Sequence, residues 1–149
     1  MKRTIKIFAL AFLVSGLTML LSCEKEDEEY NNLEVVENTF TGTVKITSTG
    51  QDPAGDFIGN NHSGKYSFAW NNPQTVASAN FDVTTSGGGF VQMIIKDANG
   101  SEVLNATRPN SGNDTFSGVS REGKSGTWLV TLIFTNLKGD GSFSMHPGD

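Results

Sequence analysis

Apolar and polar residues alternate with a period of two over the greater part of the chain, and this period predicts half-buried β-strands. Segments 40–47, 66–70 and 76–84 each place their apolar side chains on one face. Segments 90–97 and 126–137 are apolar on both faces, which is typical of strands at the centre of a sheet. The predicted inward side chains of the three alternating segments are Phe40, Val44, Ile46, Tyr66, Phe68, Trp70, Ala77, Ala79, Phe81 and Val83.

Breaks rich in glycine and asparagine separate these segments. Residues 98–100 (Ala-Asn-Gly) and 139–141 (Gly-Asp-Gly) predict tight turns, because Asn and Gly tolerate a positive φ. Residues 71–73 and 87–89 are further breaks, and no window of ten or more residues in 38–149 has a helical pattern. The sequence therefore predicts one all-β domain over 38–149, an antiparallel β-sandwich of jelly-roll or Ig-like type with about seven or eight strands.

The amino terminus has the pattern of a targeting signal. Lys2, Arg3 and Lys6 precede or open an apolar run over 7–21, which gives the basic and apolar regions of a secretory signal peptide. The run is shorter than the ~20 apolar residues of a membrane-spanning helix, which argues against the alternative of an uncleaved anchor. We therefore expect a cleaved signal peptide over 1–22.

The single cysteine of the chain closes this signal. Residues 20–23 (Leu-Leu-Ser-Cys) resemble the lipobox of bacterial lipoproteins. The resemblance implies that Cys23 becomes the first mature residue and carries fatty-acyl chains such as palmitate. Each buried CH₂ group contributes about 0.8 kcal/mol, so two or three such chains hold a protein at a membrane without a spanning helix. The membrane is thus the first expected partner.

Residues 23–37 are expected to form an acidic, flexible tether. Seven acids and one base in 24–37 give a net charge of −6, and a like-charged block stays extended. Lys25, Glu26 and Asp27 resemble the export signal that sends lipoproteins to the outer face of the outer membrane in some Gram-negative bacteria. The resemblance implies a cell-surface position, and the alternative is a periplasm-facing one.

The remaining charge and the reactive residue types exclude several functions. Residues 38–149 contain nine acids and seven bases, a net of −2 without a basic patch, so nucleic acid is not an expected partner. One cysteine excludes an internal disulfide and a multi-cysteine zinc site. The two histidines, His62 and His146, belong to no catalytic motif and are expected to be exposed to solvent. The protein is therefore not expected to be an enzyme.

A second resemblance covers about the last 80 residues. Four segments follow one another here: residues 65–68 (Lys-Tyr-Ser-Phe), an aspartate turn over 97–100, residues 126–130 (Gly-Thr-Trp-Leu-Val) and the final segment 136–145. Their order resembles that of bacterial pre-peptidase C-terminal domains. These are jelly-roll modules attached to exported proteins, and some bind calcium. The resemblance implies the same fold and an accessory role, although no peptidase is attached to this chain.

Two sets of residues are candidate binding sites. Asp52, Asp56 and Asn60 carry the oxygen atoms that calcium prefers, but their spacing differs from that of an EF-hand, so a plain loop over 51–63 is the competing interpretation. Tyr66 and Trp70 are candidates for stacking on a ligand, with burial in the core as the alternative. Apart from calcium, no cofactor is expected.

These observations favour a non-catalytic binding module for a glycan or a protein at the cell surface. The alternative is a structural or accessory subunit of an envelope protein assembly. An exposed aromatic platform would favour the former function, and an uncovered edge strand would favour the latter.

Overall fold

The computed structural model describes residues 33–109 and 114–148, and these residues form an all-β fold of eight antiparallel strands, as the sequence predicted. The predicted signal peptide, Cys23, Lys25, Glu26 and Asp27 lie outside the described residues. Within the described ranges, no helix is long and apolar enough to cross a membrane. The strands are β1 (Glu34–Asn38), β2 (Thr43–Ser48), β3 (Ala54–Asn72), β4 (Ala77–Thr85), β5 (Phe90–Lys96), β6 (Glu102–Arg108), β7 (Thr115–Val119) and β8 (Gly126–Pro147).

Two long strands organise the fold. β3 and β8, of 19 and 22 residues, pair from Ala54 opposite Ser144 to Asn72 opposite Gly126. Their register shifts on both sides of His62, and these β-bulges bend the pair near its middle. Asn61 has a φ of 58° at this point, a left-handed conformation that Asn tolerates better than most residues.

The bend folds the single hydrogen-bonded network into two facing layers. Layer A contains β1, the C-terminal half of β3, the N-terminal half of β8, β5 and β6, in that order. Layer B contains β2, the N-terminal half of β3, the C-terminal half of β8, β4 and β7. The predicted β-sandwich is therefore built by two strands that each run through both layers.

The core lies between the layers and contains eight of the ten side chains that the alternation placed inward, while Val44 and Ile46 of β2 are only partly buried against it. Trp70 lies directly opposite Trp128, and their perpendicular rings are 6.0 Å apart between centroids. Both indoles are almost completely buried, and each N–H is satisfied: Trp70 donates to the Gln51 carbonyl at 3.1 Å and Trp128 donates to that of Lys124 at 2.7 Å. Phe68 of layer A stacks on Phe143 of layer B at 5.7 Å, which joins the two layers.

The structure corrects two of the predicted breaks. Residues 139–141 form no turn but lie inside β8, and the predicted loop over 51–63 becomes strand from Ala54 onward. These glycines are required for another reason. A Cβ atom on Gly139 would lie 1.9 Å from the backbone oxygen of Thr84, and one on Gly141 would lie 2.1 Å from the backbone oxygen of Asp82. Their missing side chains let the β4 backbone approach β8 closely. The predicted turn at 98–100 is confirmed.

Candidate functional site

Five polar side chains form a row across the outer face of layer B. Lys45 of β2 lies opposite Asp56 of β3, which lies opposite Ser142 of β8. Ser142 also lies opposite Asp82 of β4, which lies opposite Thr115 of β7. Because alternate residues of a strand point to the same face, all five side chains point away from the core.

A groove follows this row. Its larger part has a volume of about 490 Å³ and is lined by residues of four strands, among them Lys45, Asp56, Asp82, Asp140 and Ser142. A smaller hollow of about 280 Å³ adjoins it. The two share Asp56, Asp82 and Ser142, so they form one continuous depression, here called the layer-B groove. Small-molecule sites commonly have volumes of about 300–1,000 Å³.

The groove offers hydrogen-bonding groups of each kind. The aspartates accept, the Lys45 ammonium donates, and the hydroxyl groups do both. Thr115 Oγ1 donates to Asp82 Oδ1 at 2.5 Å, which fixes the orientation of that carboxylate. Ile58, 57% exposed, adds an apolar wall. Such a surface can hydrogen-bond a ligand that carries many hydroxyl groups.

The structure corrects the prediction that Tyr66 and Trp70 stack on a ligand. Tyr66 is 5% exposed and Trp70 is 1% exposed, so neither ring offers a face to a ligand. Both point inward because they share the Phe68 face of β3, which packs against layer B. Burial raises the pKa of the Tyr66 hydroxyl. Among the described residues, the large exposed apolar side chains are Val35, Val36, Ile58, Phe90 and Val119.

The structure does not bring the three proposed calcium ligands together. Asp56 and Asn60 lie on the same face of β3, but four residues of strand separate their backbones by about 13 Å. Oxygen ligands of one calcium ion all lie within about 2.6 Å of it, so these two cannot share an ion. Asp52 is exposed in the turn before β3. No group of three or more His, Cys, Asp or Glu in the described ranges is arranged to hold a metal.

Asp97, another acid of the predicted turns, has a structural role. Its carboxylate accepts hydrogen bonds from the backbone N–H groups of Lys124 at 2.7 Å, Ser101 at 2.8 Å and Asn99 at 3.0 Å. The bond from Lys124, followed by those from Ser101 and Asn99, lowers the pKa of Asp97 against the opposing effect of burial. Asp97 thus fastens the β5–β6 turn to the segment before β8.

The histidines differ in their exposure. His146 is exposed, as expected, and His62 is half-buried at the bend of β3, where its ring lies edge-on to Phe40 at 6.3 Å. Among the described residues, the Nδ1 atom of His62 has no hydrogen-bond partner. Neither histidine lines the layer-B groove.

Sequence reasoning missed most of the groove. The alternation over 76–84 places Asp82 on the outer face of its strand, and the sequence points to Asp56 only as a calcium ligand. Nothing in the sequence indicated that Lys45, Asp82, Asp140 and Ser142 lie together. Their proximity depends on which strands are neighbours and in which register, and both depend on long-range pairing.

No family model matches this chain, and no curated protein matches it. Among solved structures, it is similar to the carbohydrate-binding module TmCBM61 in complex with β-1,4-galactotriose, with 18% identity, a TM-score of 0.44, and coverage of 72% of this chain and 84% of that one. It is also similar to the C-terminal CBM6 of LamC, a marine laminarinase from Zobellia galactanivorans, with 15% identity, a TM-score of 0.41, and coverage of 76% and 96%. A third similar structure is CsCBM6-3 from Clostridium stercorarium in complex with cellobiose, with 16% identity, a TM-score of 0.37, and coverage of 73% and 85%.

At these identities and TM-scores, the likeness assigns the chain to no family and transfers no ligand to it. The resemblance to pre-peptidase C-terminal domains stays a prediction.

Proposed function

We propose that the protein is a non-catalytic glycan-binding module, held at the cell envelope by a lipid on Cys23. The observation that carries the glycan-binding part is the layer-B groove, whose row of carboxylate, hydroxyl and ammonium groups lines two adjoining hollows of about 490 Å³ and 280 Å³. Sugars present hydroxyl groups that donate and accept, so one sugar can satisfy both the aspartates and Lys45. Hydrogen bonding rather than aromatic stacking supplies the recognition.

The rigidity of the site supports this proposal. Asp56, Ser142 and Asp82 lie in the interior of three hydrogen-bonded strands, not in loops. Sites on strands are held more precisely than sites on loops, and a ligand then loses less free energy in ordering its partner. The smaller hollow of the groove adds about 280 Å³, which leaves room for more than one sugar ring.

Titration calorimetry tests the binding. The chain from Glu24 onward is titrated with the neutral polysaccharides β-1,4-galactan, laminarin and xylan. We expect at least one of them to bind, and we expect Ser142→Leu, which fills the centre of the groove, to abolish the binding. Thr127→Leu, an exposed threonine of the same strand in layer A, serves as the matched control. Failure of all three polysaccharides to bind, or binding unaffected by Ser142→Leu, contradicts the proposal.

The proposal that the protein is non-catalytic is tested with the same polysaccharides. Asp56 and Asp82 flank the groove, and a pair of carboxylates is also the machinery of glycoside hydrolysis. The polysaccharides are therefore incubated with the protein and assayed for new reducing ends. We expect none above the level of the Asp56→Asn variant, and release by the native chain alone would assign an enzyme.

The anchor and its location rest on residues 20–27 of the sequence. We propose that acylated Cys23 places the protein in the outer membrane and that Lys25, Glu26 and Asp27 direct it to the cell surface. Protease treatment of intact cells, followed by immunoblotting, should degrade the protein. Protection until the outer membrane is opened would support the periplasm-facing alternative, and release of Cys23→Ser from the membrane fraction tests the anchor.

One observation favours the accessory-subunit function as a second candidate. β1 is an edge strand that pairs only with β3 among the described strands, and Val35 and Val36 are 48% and 56% exposed on it. An edge of this kind can pair with a strand of another protein. Cross-linking in isolated envelopes should then give a stoichiometric adduct that Val36→Lys removes, while Val119→Lys, at a valine of β7 that is 64% exposed, leaves it unchanged.

A further inference from the structure

The charges of the layer-B groove are unevenly matched. The larger hollow contains three carboxylates, Asp56, Asp82 and Asp140, and one ammonium group, that of Lys45. The smaller hollow shares two of these carboxylates, and the other polar side chains that line it carry neutral amide and hydroxyl groups, with Asn80 and Ser144 among them. The lining of the groove therefore has a net charge of −2.

Lys138, a lysine outside the lining, does not correct this imbalance. Lys138 lies two residues before Asp140 on β8 and opposite Asn60. A Cβ atom on Gly87 would lie 2.7 Å from the Lys138 Cδ atom, so the Lys138 side chain runs along the segment between β4 and β5. Lys45 remains the cation of the groove, and Asp56 lies directly opposite it.

Resting on the proposed function, we propose that the groove selects uncharged glycans and rejects glycans that carry sulfate or carboxylate groups. An ionised carboxylate only accepts hydrogen bonds, and so does a sulfate group or the carboxylate group of a uronate. Against Asp56 and Asp82, such a group makes no hydrogen bond and meets like charge on both sides of Ser142. A neutral hydroxyl group at the same place donates to either aspartate.

Pairs of glycans with the same backbone test this selectivity. Laminarin, β-1,4-galactan and xylan are each compared with their sulfated derivatives by calorimetry, first at about 0.01 M salt, where the Debye length is about 30 Å, and then at about 1 M salt, where it is about 3 Å. At low salt we expect the sulfated form of a bound glycan to bind about tenfold more weakly, which corresponds to one close like-charge contact near the surface. High salt should narrow this difference.

Two double variants separate the groove from the overall charge. Asp56→Asn with Asp82→Asn removes two negative charges from the groove. This double variant should reduce the affinity difference between neutral and sulfated glycans to about threefold or less. Asp52→Asn with Glu122→Gln removes the same charge from exposed residues outside the groove and should leave the difference unchanged. Circular dichroism of each variant verifies its fold.

The outcomes separate this inference from the function on which it rests. If a sulfated form binds the native chain as tightly as its neutral parent, the selectivity is overturned while glycan binding stands. The selectivity is likewise overturned if the control double variant reduces the affinity difference between neutral and sulfated glycans as much as the groove double variant does. If neither neutral nor sulfated glycans bind, both proposals fall.

Discussion

Asp56 and Asp82 lie on opposite sides of Ser142, each in register with it from a different strand. Neighbouring strands are about 4.8 Å apart, so the backbones of the two aspartates are held about 10 Å apart across β8. The interstrand hydrogen bonds of layer B fix this separation, and the bond from Thr115 orients one of the two carboxylates. The backbone positions of both aspartates and the orientation of the Asp82 carboxylate are therefore set by the protein itself.

The centre of the groove is its most sensitive point. Ser142 is exposed, so Ser142→Leu should change the free energy of unfolding by about 0.5 kcal/mol or less, while the larger side chain occupies the place of the ligand. We expect glycan binding to fall below detection in affinity electrophoresis with a normal unfolding midpoint. Thr127→Leu should retain both glycan binding and the normal unfolding midpoint. A loss of binding in that control as well would mean that the groove is not the site.

The tryptophan pair should dominate the stability of the fold. Trp128 is completely buried against Trp70 and satisfies its indole N–H internally. Trp128→Ala should cost about 3–5 kcal/mol, because it removes a large buried side chain and leaves a cavity. Urea unfolding followed by far-ultraviolet circular dichroism measures the loss. Val119→Ala, at a valine that is 64% exposed, should change the stability by about 0.5 kcal/mol or less, and similar losses in both variants would contradict the burial of Trp128 in the core.

Asp97 should make the fold sensitive to acid. Its pKa is lowered in the folded state, chiefly by the Lys124 N–H bond, so the unfolded chain binds its proton more readily. The stabilisation is therefore present above the ordinary pKa of about 3.9 and is lost as the pH falls through the lower, folded value. Asp97→Asn should have a lower free energy of unfolding than the native chain at pH 7. On acidification, this free energy should fall less in the variant than in the native chain.

Urea midpoints measured from pH 7 down to pH 2 check this dependence. Asp52→Asn, an exposed aspartate in another turn, should retain the acid-induced loss of the native chain. If Asp97→Asn instead runs parallel to the native chain at every pH, the acid sensitivity has another origin.

The parts of the fold that depend on local pattern could be predicted from the sequence. Alternation over 76–84 identified the four inward residues of β4, and all of them are buried, because a half-buried strand leaves this pattern wherever it pairs. The groove could not be found this way. Asp56 and Asp82 come together only because β8 lies between β3 and β4, and no local pattern reports which strands are neighbours.

The Gly-Asp-Gly segment at 139–141 shows a further limit of local pattern. Glycine is common in turns because it adopts positive φ, and it is equally required where another backbone comes too close for a side chain. Gly139 combines both features: its φ is 156° and a Cβ atom would lie 1.9 Å from the Thr84 oxygen. Only the structure distinguishes these glycines from those of a hairpin.

Gly139→Ala tests this explanation. The new methyl group clashes with the β4 backbone and strains the residue, so we expect a loss of about 3 kcal/mol or more in the free energy of unfolding. Gly100→Ala is the matched control, because Gly100 also has a positive φ, 80°, but a Cβ atom there meets nothing within 4 Å. Backbone strain alone should cost the control about 1–2 kcal/mol. Equal losses in the two variants would show that the approach of β4 to β8 is not what requires glycine at position 139.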